Sequence, residues 1–144
     1  MRLQPKYWED YFLSGFGMIK IKRAYEKASK DDGYRILVER LWPRGVTKAR
    51  ADLDLWLKDV APSAELRKEF HHESEDWEDF RARYWKELDG KKDDIDILKQ
   101  KAEEGTVTFV YSSRDIEHNA AVALKEYIEQ HARPMEKRRL QAIH

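Results

Sequence analysis

Cysteine is missing from all 144 residues. Disulfides, thiolate zinc sites and cysteine nucleophiles are thereby excluded. Also missing is any apolar run long enough to cross a bilayer. The opening stretch MRLQPKYWEDYFLSG carries Glu9 and Asp10 where a signal peptide needs unbroken apolar sequence. These absences lead us to expect a cytoplasmic protein with no membrane partner. No internal repeat and no linker long enough to divide the chain is present.

Net charge is absent too, but the zero sum hides an asymmetry. Residues 20–50 carry ten Lys/Arg against four Asp/Glu, whereas residues 51–105 carry ten against seventeen. Residues 131–144 carry four against one. A whole-protein affinity for nucleic acid through bulk charge is not expected from this balance. A local anion site built from the first segment is compatible with it.

What is present is a globular composition, 41% apolar and 39% charged. It suits one domain with a hydrophobic core. Residues 1–17 read as an N-terminal extension. Pro5 opens a short helical pattern that groups Tyr7, Trp8, Tyr11 and Phe12, and Gly15 and Gly17 end it. Such a face must dock on something, either its own domain or a second copy in a homodimer.

Met18–Arg23 alternates as a strand, and Tyr34–Glu39 reads as a second, more buried one. The link between them is short, so they are expected to pair antiparallel. Thr47 should cap a short helix through Ala51. Leu53–Lys58 reads as a strand, and Ser63 as the cap of a helix over 64–70. Ser74 and Asp94 should cap two further helices, ended by Gly90 and Gly105. Thr106–Tyr111 is a strong strand. A helix over 115–131 follows, with Ile116, Ala120, Leu124 and Ile128 inward, and Pro134 closes it. Strands alternating with helices predict a single α/β domain over 18–131, a small mixed β-sheet of about four strands with helices packed on it. Residues 132–144 read as a basic C-terminal tail.

In open α/β sheets, ligands bind beyond the carboxyl ends of the strands. Three such ends carry chemistry here. At the first, Glu39 and Arg40 leave the strand and Trp42-Pro43-Arg44-Gly45 fits a type I turn. A stiff turn presents Arg44 with little backbone entropy to lose. A guanidinium donates two parallel hydrogen bonds to carboxylate or phosphate. The alternative is structural: Arg40 pairs with Glu39 or Asp59, and Trp42 fills the core. At the second end, YSSRDIEHN (111–119) passes from strand to helix. The free N–H groups there, with Ser112, Ser113, Arg114 and Asn119, suit an anion. Asp115 competes for them, and a His118 kept neutral by the helix dipole would serve as a base. The third end offers Lys58 and Ser63. His71, His72 and Glu73 lack the spacing of a helical metal site, so neither a metal nor a cofactor is expected.

The stretches IKRAY (21–25), GYRILVERLWPRG (33–45), LDLWLKDVAPS (53–63), ELRKEF (65–70) and YSSRDIEHNAAVAL (111–124) resemble the YeaO-like family, classed as domain of unknown function 488. The resemblance spans roughly residues 18–130. It implies that Arg40, Trp42, Arg44, Lys58, Ser63, Arg67, Arg114, Asp115, His118 and Asn119 belong to signature motifs, and that one pocket gathers the polar ones. Glu39 stands where the family often has Asp.

The resulting expectation is a small anionic ligand held by Arg40, Arg44, Lys58, Ser63, Arg114 and Asn119. His118, Glu39 and Asp115 would do acid/base work, although the residues do not decide whether the protein is an enzyme. The alternatives are a nucleic-acid-associated or regulatory protein, and a non-catalytic interaction module.

Overall fold

A computed structural model describes residues 18–70 and 74–143, with the backbone alone at 74–75 and 132–143. The N-terminal extension and the His71-His72-Glu73 cluster lie outside the described residues. Four strands form one sheet: β1 (Ile19–Arg23), β2 (Tyr34–Leu37), β3 (Leu55–Trp56) and β4 (Val107–Tyr111), in the order β1-β4-β2-β3. Five helices accompany them: α1 (Lys48–Ala51), α2 (Ala64–Glu69), α3 (Ser74–Asp89), α4 (Lys92–Glu104) and α5 (Ala120–Ile143). Single 3-10 turns cover Lys30–Asp32 and Lys58–Val60.

The expected α/β domain is present, but its sheet is parallel throughout rather than mixed. β1 and β2 are not antiparallel neighbours, because β4 lies between them. The link over residues 24–33 returns from the carboxyl end of β1 to the amino end of β2 past the intervening β4, and its one regular element is the 3-10 turn at Lys30–Asp32. Its anchor is Gly33, whose φ is 64° and whose missing Cβ would stand 2.2 Å from the Thr106 carbonyl oxygen. The Tyr34 N–H donates to that same oxygen at 3.0 Å, and the Thr108 hydroxyl donates to the Asp32 carbonyl at 2.7 Å.

β4 takes the centre because all five of its residues are buried and β-branched or aromatic. Its two faces are covered unequally. Phe109 and Tyr111, with Ile36 and Val38, meet the large apolar core lined by α3, α4 and α5. Leu37 and Val110 meet a smaller core closed by Val46, Ala51, Trp42 and Trp56. The caps at Thr47 and Ser63 are as expected, each accepting the backbone N–H three residues on.

Three helix boundaries differ from expectation. α4 begins at Lys92, so Asp94 lies within its first turn rather than at the cap. α5 begins at Ala120, and its cap is the buried Asn119, whose Oδ1 accepts the Val122 N–H at 3.0 Å. Asp115 does not cap this helix, and Ile116, expected inward, is 62% exposed. The backbone of α5 also passes through Pro134 to Ile143.

At the amino end of the sheet, Asp32 is fully buried among cations. Arg35 Nη1 reaches its carboxylate at 2.7 Å and Lys22 Nζ at 3.1 Å, while the Ser29 N–H donates at 3.0 Å. Arg35 also donates to the carbonyls of Ala51 and Asp52, closing the carboxyl end of α1. Burial alone would push the Asp32 pKa up. The hydrogen bonds from Ser29, Lys22 and Arg35 outweigh it and hold the carboxyl at about 2.

Two tests follow from this frame. A depressed folded-state pKa gives stability that is full above the unfolded value near 4 and is lost as pH falls through about 2. Asp32→Asn should cost about 3–5 kcal/mol at neutral pH, because it strands the buried Arg35. The gap from wild type in urea titrations should narrow between those pH values. A gap that is constant with pH would contradict the account. Gly33→Ala should cost more than about 2 kcal/mol, whereas Gly45→Ala, which meets open space, should cost about 1. Equal costs in urea melts would remove the close approach as the reason for Gly33.

Candidate functional site

The carboxyl ends of the four parallel strands open into one cleft of about 760 Å³. Its walls come from the loop after β2, the loop after β4, Ala61 and Pro62 ahead of α2, the carboxyl half of α2 with Phe70 after it, and Tyr25 just beyond β1. Of the residues singled out from sequence, Glu39, Arg40, Arg44, Arg114, Asp115 and Asn119 all line it. Arg67 of α2 joins them, with Tyr25, Phe70 and Phe80 contributing apolar surface.

Glu39 is the bridge between the two main loops. Its carboxylate accepts the Ser112 N–H at 3.0 Å and the Ser112 hydroxyl at 2.7 Å. Its backbone carbonyl accepts the Trp56 indole N–H at 2.6 Å. From the other side, the Arg23 guanidinium donates to the carbonyls of Ser113 and Ser112 at 2.8 and 3.3 Å. The loop that carries Arg114 is therefore clamped at its base.

The turn that presents Arg44 is shifted by one residue from the expected frame. The Val46 N–H bonds to the Pro43 carbonyl, so Gly45 occupies the third position. Its φ of 79° is the value a type II turn requires there. The Trp42 indole N–H donates to the Val46 carbonyl at 2.6 Å, and its ring packs edge-on against Trp56. The Tyr25 hydroxyl donates to the Arg44 carbonyl at 3.1 Å. The backbone of Arg44 is fixed and its side chain stays exposed.

The carboxylates in the cleft are committed. Glu39 is held as described. Asp115 Oδ1 accepts the N–H groups of Glu117 and His118, each at 3.0 Å, and so shapes its own loop. Among the arginines, Arg40 stands 3.8 Å from Asp59, a pair both of whose members are substantially exposed. Such pairs contribute little. Arg44, Arg67 and Arg114 make no ion pair among the described residues.

Three expected members do not line the cleft. His118 precedes α5 rather than lying in its first turn. Its ring stacks on Trp77 at 4.9 Å, with Nδ1 4.0 Å from Asp115 Oδ2. Ser63 is occupied as the cap of α2 and as a donor to Glu87 at 2.6 Å. Lys58 lies 4.2 Å above the Trp56 ring. Just behind the cleft, Lys91 donates to the Ala61 carbonyl at 2.9 Å, and burial lowers its pKa. No cluster of three or more His, Cys, Asp or Glu suited to a metal occurs among the described residues. Tyr25 and Arg23 went unselected in the sequence. The KRAY stretch marks them as the end of a strand, the same signal that picked out Glu39 and Arg114.

A family model described as "Inactive DUF488-N3 subclade" matches residues 18–142. The uncharacterised protein YeaO of Escherichia coli is 42% identical over 110 residues, covering 76% of this chain and 96% of that protein. Uncharacterised proteins of Mycobacterium tuberculosis and Mycobacterium bovis are each 36% identical over 110 residues, covering 76% of this chain and 92% of their own lengths. No solved structure matches. No helix among the described residues is long and apolar enough to cross a membrane. With a family model matching residues 18–142 and a relative 42% identical over most of both chains, the chain belongs to the YeaO-like DUF488 family.

Proposed function

We propose that the cleft binds a carboxylate- or phosphate-bearing ligand and does not transform it. The observation that carries this reading is the set of four arginines, from three separate stretches, lining one concavity whose carboxylates are already hydrogen-bonded. Guanidinium groups on a fixed backbone suit bidentate recognition of such anions. The size and the mixed apolar and polar walls suit a small-molecule or side-chain-sized occupant.

Acid/base chemistry has weaker support. Of the three groups expected to move protons, His118 is stacked outside the cleft, Glu39 holds Ser112 and Asp115 holds its own loop. A family model described as an inactive subclade agrees with a binding role. The nucleic-acid reading is weakened by where the basic charge of residues 20–50 goes. Lys20, Lys22 and Arg35 surround Asp32, Arg23 holds loop carbonyls, and Arg50 donates to the Tyr25 carbonyl. Half of the ten cations in that stretch are thus engaged within the fold, which thins any track along a phosphate backbone.

The test is thermal unfolding and calorimetry with inorganic phosphate, citrate and sulfate. An anion at about ten times its Kd should raise Tm by roughly 2–5 °C. Arg44→Ala and Arg114→Ala should each weaken binding about ten-fold or more. Both side chains are exposed and make no ion pair among the described residues, so stability without ligand should change by less than about 0.5 kcal/mol. No shift with any anion would remove the binding reading. Consumption of a bound ligand would overturn the non-catalytic part.

A further inference from the structure

The two most exposed large apolar side chains among the described residues are Leu41, at 65%, and Ile116, at 62%. Next in rank among the described residues, Met18 and Ile97 reach only 40% and 37%. Leu41 and Ile116 both belong to the loops that carry the cleft's arginines. Leu41 lies between Arg40 and Arg44 on the loop after β2 and lines the cleft. Ile116 lies two residues beyond Arg114 on the loop after β4. Both loops are held rigidly, by Glu39 and Arg23, so the exposure belongs to a fixed conformation. An apolar side chain fixed in water beside arginines is the composition of an interface, where a desolvated apolar contact and a guanidinium act together.

Resting on the anion-binding reading above, we infer that the cleft mouth docks an acidic segment of another polypeptide, with apolar side chains placed next to its carboxylates. The carboxylates would meet Arg44, Arg67 and Arg114, and the apolar side chains would cover Leu41 and Ile116. A free small anion would leave both apolar side chains in water and give them no role. A protein segment fits this mouth better than a nucleic acid does. Asp59 and Glu117 stand exposed beside the arginines, and a nucleic acid, charged at every nucleotide, would meet them as like charges, whereas a segment with spaced carboxylates can set its neutral side chains there. Lys58, the lysine nearest in sequence to this end of β3, lies over Trp56 instead of facing the cleft.

The experiment uses the full chain and fluorescein-labelled synthetic peptides read by anisotropy. One peptide alternates Asp/Glu with Leu/Phe, a second alternates Asp/Glu with Ser, and a single-stranded oligonucleotide is the third probe. The first peptide should bind about ten-fold more tightly than the second, the gain expected for burying one apolar side chain. The double variant Leu41→Ser/Ile116→Ser, altered only at exposed positions, should erase that difference. It should keep the thermal shift given by inorganic phosphate, which also confirms that it is folded. If phosphate binds and the two peptides bind alike, or the double variant keeps the preference, the docking inference fails while the anion cleft stands. If neither peptide nor phosphate binds, both readings fail. An oligonucleotide that outcompetes the first peptide overturns the inference in favour of nucleic acid.

Discussion

The functional end of this protein depends on one carboxylate that accepts two hydrogen bonds from one residue. Glu39 leaves β2, takes both the amide and the hydroxyl of Ser112, and so ties the ends of two adjacent strands together. The two loops bearing Arg40, Arg44 and Arg114 cannot move apart without breaking this link. A carboxylate accepting such bonds is satisfied without a cation. The neighbouring arginines are therefore left to face outward. Had Glu39 paired with Arg40, as a strictly local reading would have it, the cleft would hold one fewer guanidinium and the second loop would lose its tether.

The two ends of the sheet treat charge in opposite ways. At the amino end, Asp32 and Arg35 are buried together, and each of the three guanidinium nitrogens meets a carboxylate or a carbonyl. Such pairs contribute to a specific arrangement more than to net stability, since desolvation offsets much of their attraction. At the carboxyl end, the arginines stay solvated and the carboxylates serve the backbone. One end thus closes α1 onto the sheet, while the other presents cationic groups on a fixed frame.

Much of this was legible in the sequence. The run from Val107 to Tyr111 is β-branched and aromatic throughout, which marks a central strand, and strand ends then point to Glu39, Arg40, Arg44 and Arg114. The caps at Thr47 and Ser63 are local features and read correctly. What escaped was non-local. The parallel placement of β1 and β2 depends on Gly33 fitting against Thr106, a contact between residues far apart in the chain. Arg35 looked like an ordinary strand residue, because its partners at Ala51 and Asp52 belong to another element. Asp115 was mistaken for a cap since Asp and Asn serve that purpose equally well. The cap is Asn119, which is buried and whose Oδ1 accepts the Val122 N–H. His118 drew attention through its chemistry, yet its stacking on Trp77 is a tertiary contact with no signature in its own motif.

The strand order has a consequence for how the chain comes together during synthesis. β1 is made early, yet its sole partner among the described strands is β4, whose residues emerge more than eighty positions later. β2 likewise needs β4 on one side, and its other neighbour, β3, pairs over two residues only. At translation speeds of about 5–20 residues per second, the first strand waits on the order of five to fifteen seconds for its hydrogen-bonding partner. Lys20, Lys22 and Arg23 interrupt the apolar residues of that waiting strand, and charges placed this way discourage pairing with a foreign edge. The lysines that later surround Asp32 thus also act as guardians of the nascent chain.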